Sequence, residues 1–361
     1  MKPNSQFLNK ESFFWAYVRT LSEEIGYTDK GKDAIKVPSL EDMEIALKRL
    51  SLDPLAVSQK GKPTQLGRDL LSYFVHRASA ISGIKGKLQV TEQAEKMFSK
   101  LLKDFKYDFD KSMNKQKGAK KAEAYLTCAI NIILENEIEN LVPLKGIHVI
   151  DPVEKSLWVR REELKKLGTD KYIKALIKNK KIGKAKYNRK DVYSPADVQK
   201  YKLHCNYNPR TLTTLTHDGR PVGTLARRVD GAYPSTINPI AIWEIKEYYY
   251  TTSFGSRVAD GIYETLLDGI ELEQVKKISE RHEVKHYLFV DAYDTWWKDG
   301  KSYLCRLVDS IHMGYVDEVL FGNEILDRLP ELVTDWVREK QKRDDVMGDK
   351  DEAASKALVT E

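Results

Sequence analysis

Ala241-Ile-Trp-Glu-Ile-Lys-Glu-Tyr-Tyr-Tyr250 is the stretch on which the fold turns. β-Branched and aromatic residues dominate it and neither Gly nor Pro interrupts it, so it reads as a buried strand. Side chains alternate between the two faces of a strand, which puts Glu244 and Lys246 on one face and Trp243 and Ile245 on the other. A hydrophobic strand that aims a carboxylate and an ammonium at one place needs a chemical reason.

Working outward, the flanking residues supply more strand patterns. Thr211–Tyr233, TLTTLTHDGRPVGTLARRVDGAY, reads as two strands around an Asp218-Gly219 turn. A long helix is expected over 256–282, then a strand in KHYLFVDAYDTW (285–296), a helix around SYLCRLVDSIHMG (302–314), a short strand VDEVLFG (316–322) and a closing helix from Glu324. Asp230 falls at or near the end of the strand before 241–250, beside the expected position of Glu244. Two carboxylates brought that close repel each other unless a cation lies between them. Hard carboxylate oxygens with water are what Mg²⁺ prefers. Lys246 then suits the orientation of an attacking water and the neutralisation of charge developing on a phosphate.

Asp230 followed by Glu244-Ile245-Lys246, set in strand, strand, helix, strand, resembles the PD-(D/E)XK nuclease superfamily, and type II restriction endonucleases in particular. The resemblance covers about 90 residues, Thr211 to Trp297. It implies an α/β, mixed α+β core: a mixed sheet flanked by helices that hydrolyses phosphodiester bonds with Mg²⁺. Asp230, Glu244 and Lys246 would be catalytic, the two carboxylates holding the metal. Val229 stands where the family pattern has proline. Asp291 and Asp294 have no fixed role in that pattern, and Asp218 suits a turn better than a ligand site. An extra acidic residue can come from a preceding helix, for which Glu135, Glu137 and Glu139 are candidates against the alternative of a solvated helix end. Arg257 opens the helix after the catalytic strand, where the resemblance implies a contact to the DNA backbone.

Residues 1–145 read as helices without catalytic motifs, Ser39 serving as an N-cap. Residues 146–205 have a different grammar. WVRREELKKLG (158–168) and TDKYIKALIKNKKIG (169–183) read as short helices, KAKYNRKDVY (184–193) as a hairpin or wing, and SPADVQKYK (194–202) as a helix capped by Ser194 with Pro195 at its first position. This order resembles the winged-helix module of the MerR and excisionase type. Lys171 to Lys190 holds nine basic residues and no acidic one. Such a run is commonly a solvated face, but here it falls on the elements that a winged helix sets against DNA. Thr169, Lys171, Tyr172, Lys174 and Lys178 are therefore expected to face bases and nearby phosphates, and Lys184, Lys186 and Arg189 on the wing to meet phosphates.

The chain's 361 residues, net charge of +6 and 32% charged residues describe a globular protein with a well-charged surface. Cys128, Cys205 and Cys305 are scattered, which points to a reducing compartment and away from cysteine–zinc chemistry. His282 and His286 are four apart, but the second starts a strand. No GxxxxGK[ST] or GxSxG occurs. No apolar run spans a bilayer and no small-residue cleavage site follows the first apolar stretch. The expectation is a cytoplasmic prokaryotic protein in four parts: 1–145, the reader at 146–205, the catalytic domain at 206–340 and a disordered tail at 341–361. Its partners would be double-stranded DNA, a second copy of itself and a separately encoded cognate methyltransferase. A repair, junction or transposon-end nuclease is the nearest alternative; a non-cutting DNA-binding regulator is the alternative from another class.

Overall fold

The computed structural model describes residues 1–29, 34–105, 108–109, 124–142, 148–151, 156–160, 184–187, 190–193, 204–249, 256–278 and 283–359. Within these the protein is mixed α/β. Helices α1 (Ser5–Leu8), α2 (Ser12–Ile25), α3 (Leu40–Arg49), α4 (Gln65–Ser82), α5 (Thr91–Asp104) and α6 (Tyr125–Leu141) come first, with a small hairpin of β1 (Ser58–Gln59) and β2 (Lys62–Pro63). Ser39 caps α3 as expected: its Oγ accepts from the Asp42 N–H at 3.1 Å, while its own N–H donates to the Asp42 carboxylate at 2.8 Å.

Two five-stranded sheets follow. One has the order β3 (Asp108–Phe109), β4 (His148–Asp151), β5 (Ser156–Arg160), β7 (Lys190–Tyr193), β6 (Lys184–Tyr187). Its β6–β7 pair forms the expected hairpin, with Tyr187 opposite Lys190. The expected helix at 158–168 is corrected at its start: Trp158, Val159 and Arg160 lie in β5, paired with β4 and β7. Trp158 and Val159 favour extended backbone, and pairing on both edges of β5 outweighs a helical period that only begins there. Residues 161–183 and 194–203, including the other expected reader helices, lie outside the described residues.

The other sheet has the order β14 (Glu318–Phe321), β13 (Lys285–Asp291), β12 (Ala241–Glu247), β11 (Gly231–Tyr233), β8 (Asn206–Tyr207). Pairing is antiparallel from β8 to β12 and parallel between β13 and β14. The separate hairpin of β9 (Thr214–His217) and β10 (Arg220–Thr224) turns at Asp218-Gly219, both at positive φ (49° and 73°). Asp218 is thus the turn former it was expected to be. Helix α7 (Ser256–Ile278) follows β12, a π-helical turn (Asp294–Asp299) follows β13, and α8 (Lys301–His312) leads into β14. Helix α9 runs from Ile325 to Val359. The expected disordered tail is therefore corrected to helix: Ala, Glu, Lys and Leu favour helical backbone, and no proline follows Pro330.

The chain divides into two compact units. The first (1–91, 246–273, 286–322) contains a helical core of Phe14, Trp15, Leu21, Leu47, Tyr73 and Phe74, and a second cluster around Leu288, Val290, Trp296, Val308 and Phe321. Buried Arg77 pins α4 to α8 by an ion pair with Asp309 at 3.2 Å. In the second unit (92–245, 274–285, 323–361), Trp336 of α9 stacks on Trp243 of β12 with ring centroids 5.8 Å apart. Among the described residues no helix is long and apolar enough to cross a membrane.

Candidate active site

Gly231 lies directly opposite Trp243 in the β11–β12 pair, so the preceding pair outward is Asp230 and Glu244. Strand alternation places these two carboxylates together on the face away from Trp243. The Asp230 N–H donates to the Trp243 carbonyl at 3.1 Å and to Glu244 Oε1 at 3.2 Å; the Ile245 N–H donates to Asp230 Oδ2 at 2.9 Å. Glu244's side chain thus holds the Asp230 backbone, and Asp230's side chain holds the backbone of Ile245, the residue next to Glu244. Glu244 is 1% exposed. The Arg227 guanidinium donates to Glu244 Oε2 at 3.0 Å and supplies a positive charge beside it. Arg227, Arg228, Val229 and Asp230 line an open groove of about 450 Å³ together with Asn208 and Leu212.

Lys246 follows two residues along β12 on the Glu244 face and is buried. Its Nζ donates to Glu264 Oε2 of α7 at 2.7 Å. Gly261 of α7 makes room for it: a Cβ there would lie 2.9 Å from the Tyr248 hydroxyl and 3.2 Å from Lys246 Cδ. Arg227 and Glu264 were not singled out by sequence reasoning. Each pairs with its partner across 17 or 18 residues, and no spacing rule connects a loop arginine or a helical glutamate to a strand residue at that range.

Helix α6 contributes a carboxylate, but on the other face. Tyr207, Gly231 and Trp243 are directly opposite one another across β8, β11 and β12, so they share a face. The Tyr207 hydroxyl donates to Glu135 Oε1 at 2.7 Å, which sets Glu135 on the Trp243 side. The solvated helix end expected for Glu135 is thus corrected: it is 2% exposed. Burial raises its carboxyl to about 7, against hydrogen bonds from Tyr207 and the His204 and Cys205 N–H groups that lower it. Glu139, at the next turn, pairs with His204 at 3.0 Å.

A carboxyl whose folded pKa stands above its unfolded value keeps its proton longer in the folded state. Stability therefore falls as pH rises from about 4.5 through about 7, by roughly 3 kcal/mol at most for Glu135. Glu135→Gln is expected to flatten this slope, measured as denaturant midpoints across the window; an unchanged slope would exclude Glu135 as its source. Asp291, also raised by burial to about 7, contributes a parallel slope in the first unit that the substitution leaves intact. Asp291 is fully buried, accepts from the Gln89 N–H at 2.7 Å and the Ala292 N–H at 2.8 Å, and receives the Tyr249 hydroxyl. It closes the end of β13. Asp294, by contrast, is a surface residue paired with Lys298.

Of the expected DNA-facing residues, Lys184 and Lys186 lie on β6 and Arg257 in the first turn of α7. Thr169, Lys171, Tyr172, Lys174, Lys178 and Arg189 lie outside the described residues, as does His282. His286 is in β13, its Nδ1 2.8 Å from the Tyr315 carbonyl, which is a structural use. Among the described residues no three His, Cys, Asp or Glu side chains converge as a metal cluster. Asp230 and Glu244 form a two-carboxylate donor set, and Mg²⁺ is commonly held by one or two carboxylates together with water and substrate phosphate. On that chemistry the residues fit the ion.

Two families match parts of the chain. One, described as Domain of unknown function (DUF7690), matches residues 1–84. No curated protein and no solved structure matches. The other family, described as Domain of unknown function (DUF7687), matches residues 174–336, a stretch that takes in the β6–β7 hairpin together with Asp230, Glu244 and Lys246.

Proposed function

We propose that the protein is a Mg²⁺-dependent, sequence-specific endonuclease of double-stranded DNA, with a PD-(D/E)XK core most like that of type II restriction enzymes. The observation that carries this is the pairing of Glu244 with Asp230, which lines a groove together with Arg227 and Arg228, and Lys246 next on the same strand face. Asp230 and Glu244 would hold the ion, which would supply Lewis-acid polarisation of the scissile phosphate. Lys246 orients the attacking water, and Arg228 borders the groove where the DNA backbone would pass. The β6–β7 hairpin supports a DNA-reading wing, with Lys184 and Lys186 as phosphate contacts. One site per chain hydrolyses one strand, so a double-strand break calls for two copies arranged about a two-fold axis.

The second reading, a regulator that binds DNA without cutting it, is favoured by one observation. Arg227 and Glu264 already neutralise Glu244 and Lys246, as purely structural charges would be neutralised. Incubation of the purified protein with supercoiled plasmid of known sequence separates the two. Discrete linear fragments with Mg²⁺, and none with a chelator, are expected; plasmid that stays supercoiled across divalent ions and salt concentrations rejects the nuclease.

A further inference from the structure

Glu244 is almost wholly buried, and a buried carboxylate without a counter-charge is costly. In this structure the counter-charge is the Arg227 guanidinium, 3.0 Å from Oε2 and itself about one-fifth exposed at the edge of the groove. The ion assigned to Asp230 and Glu244 would neutralise the same carboxylate. A guanidinium and a divalent cation cannot both sit closely on Glu244 without repelling each other. We infer that Arg227 is a placeholder cation: it holds Glu244 while the site lacks metal and gives up that contact when the metal arrives. This rests on the metal reading above and adds to it a built-in brake, since metal binding must displace an existing ion pair. Arg227 has somewhere to go, because its neighbour Arg228 is exposed and the groove lies open beside both. Here Arg227 is a positioning residue, not a catalytic one.

The test is Mg²⁺ binding by calorimetry at mildly alkaline pH, without DNA, on the full chain. Arg227→Met is expected to bind Mg²⁺ at least tenfold more tightly than the wild type, with a larger Mg²⁺-dependent rise in melting temperature. Arg227→Lys, which keeps the charge, should stay near the wild type. Equal or weaker binding by Arg227→Met overturns the inference. Should that variant fold only when Mg²⁺ is present, the inference stands, because the ion then supplies the missing charge; a variant unfolded even at saturating Mg²⁺ overturns it. Asp230→Asn separates this from the parent reading. If it binds Mg²⁺ as well as the wild type, the metal assignment itself fails, whatever Arg227 does.

Discussion

Lys246→Met is expected to reduce plasmid cleavage by the proposed nuclease roughly a thousandfold or more, with the fold and DNA binding retained. The fold should survive because Glu264, which loses this ion pair, has its side chain 41% exposed and can be hydrated. The long methionine side chain also refills the space beside Gly261. Binding should survive because the proposed phosphate and base contacts elsewhere would supply most of the affinity. Asp230→Ala and Glu244→Gln are expected to lose cleavage to a similar degree. Glu244→Gln is preferable to alanine, since an amide oxygen still accepts from Arg227 and preserves the local packing. Gel assays of plasmid cleavage, with circular dichroism and anisotropy on duplex DNA, read the three effects separately. Near wild-type cleavage by Lys246→Met would remove the lysine from the chemistry and, with it, the strongest link to the proposed nuclease class.

How much of this was legible in the sequence differs from element to element. Strand β12 was legible because its apolar run is bounded and its two charges alternate with two large apolar residues, a period that only extended backbone satisfies. The Asp218-Gly219 turn was legible for a similar local reason: positive φ at both positions suits Asp and Gly. Asp230 beside Glu244 was anticipated from strand order, and the register bears it out. The misses are non-local. Nothing within LENEIENL distinguishes Glu135, which meets Tyr207 from 72 residues away, from the half-exposed Glu137 beside it. Trp158 and Val159 fit the inner face of a short helix as readily as a strand, and only the pairing partners β4 and β7 decide between them. The end of α9 was misread because an acidic, small-residue composition suits both a solvated helix and an unfolded tail.

The fold around the site is most sensitive at Gly231, and Gly231→Ala is expected to destabilise the second unit by about 3 kcal/mol or more. Glycine is normally a weak strand former, so on propensity alone alanine should be neutral or better. Contact geometry reverses that expectation. A Cβ at Gly231 would lie 2.1 Å from Trp243 Cε2 and Cζ2 and 2.5 Å from Nε1, far inside van der Waals contact. The indole cannot yield, because it is fully buried and stacked against Trp336. Nor can the strand slip, since one residue of register would carry Asp230 and Glu244 to the wrong face. Trp243 Nε1 is also buried without a hydrogen-bond partner among the described residues, so the indole is held by packing alone. That makes Trp243→Leu a fair second-site change: it empties the volume the new methyl needs and removes an unsatisfied donor. Denaturant unfolding of Gly231→Ala, Trp243→Leu and the double variant should show the double variant more stable than the sum of the singles predicts. Strict additivity would mean that Gly231 serves some purpose other than making room for Trp243.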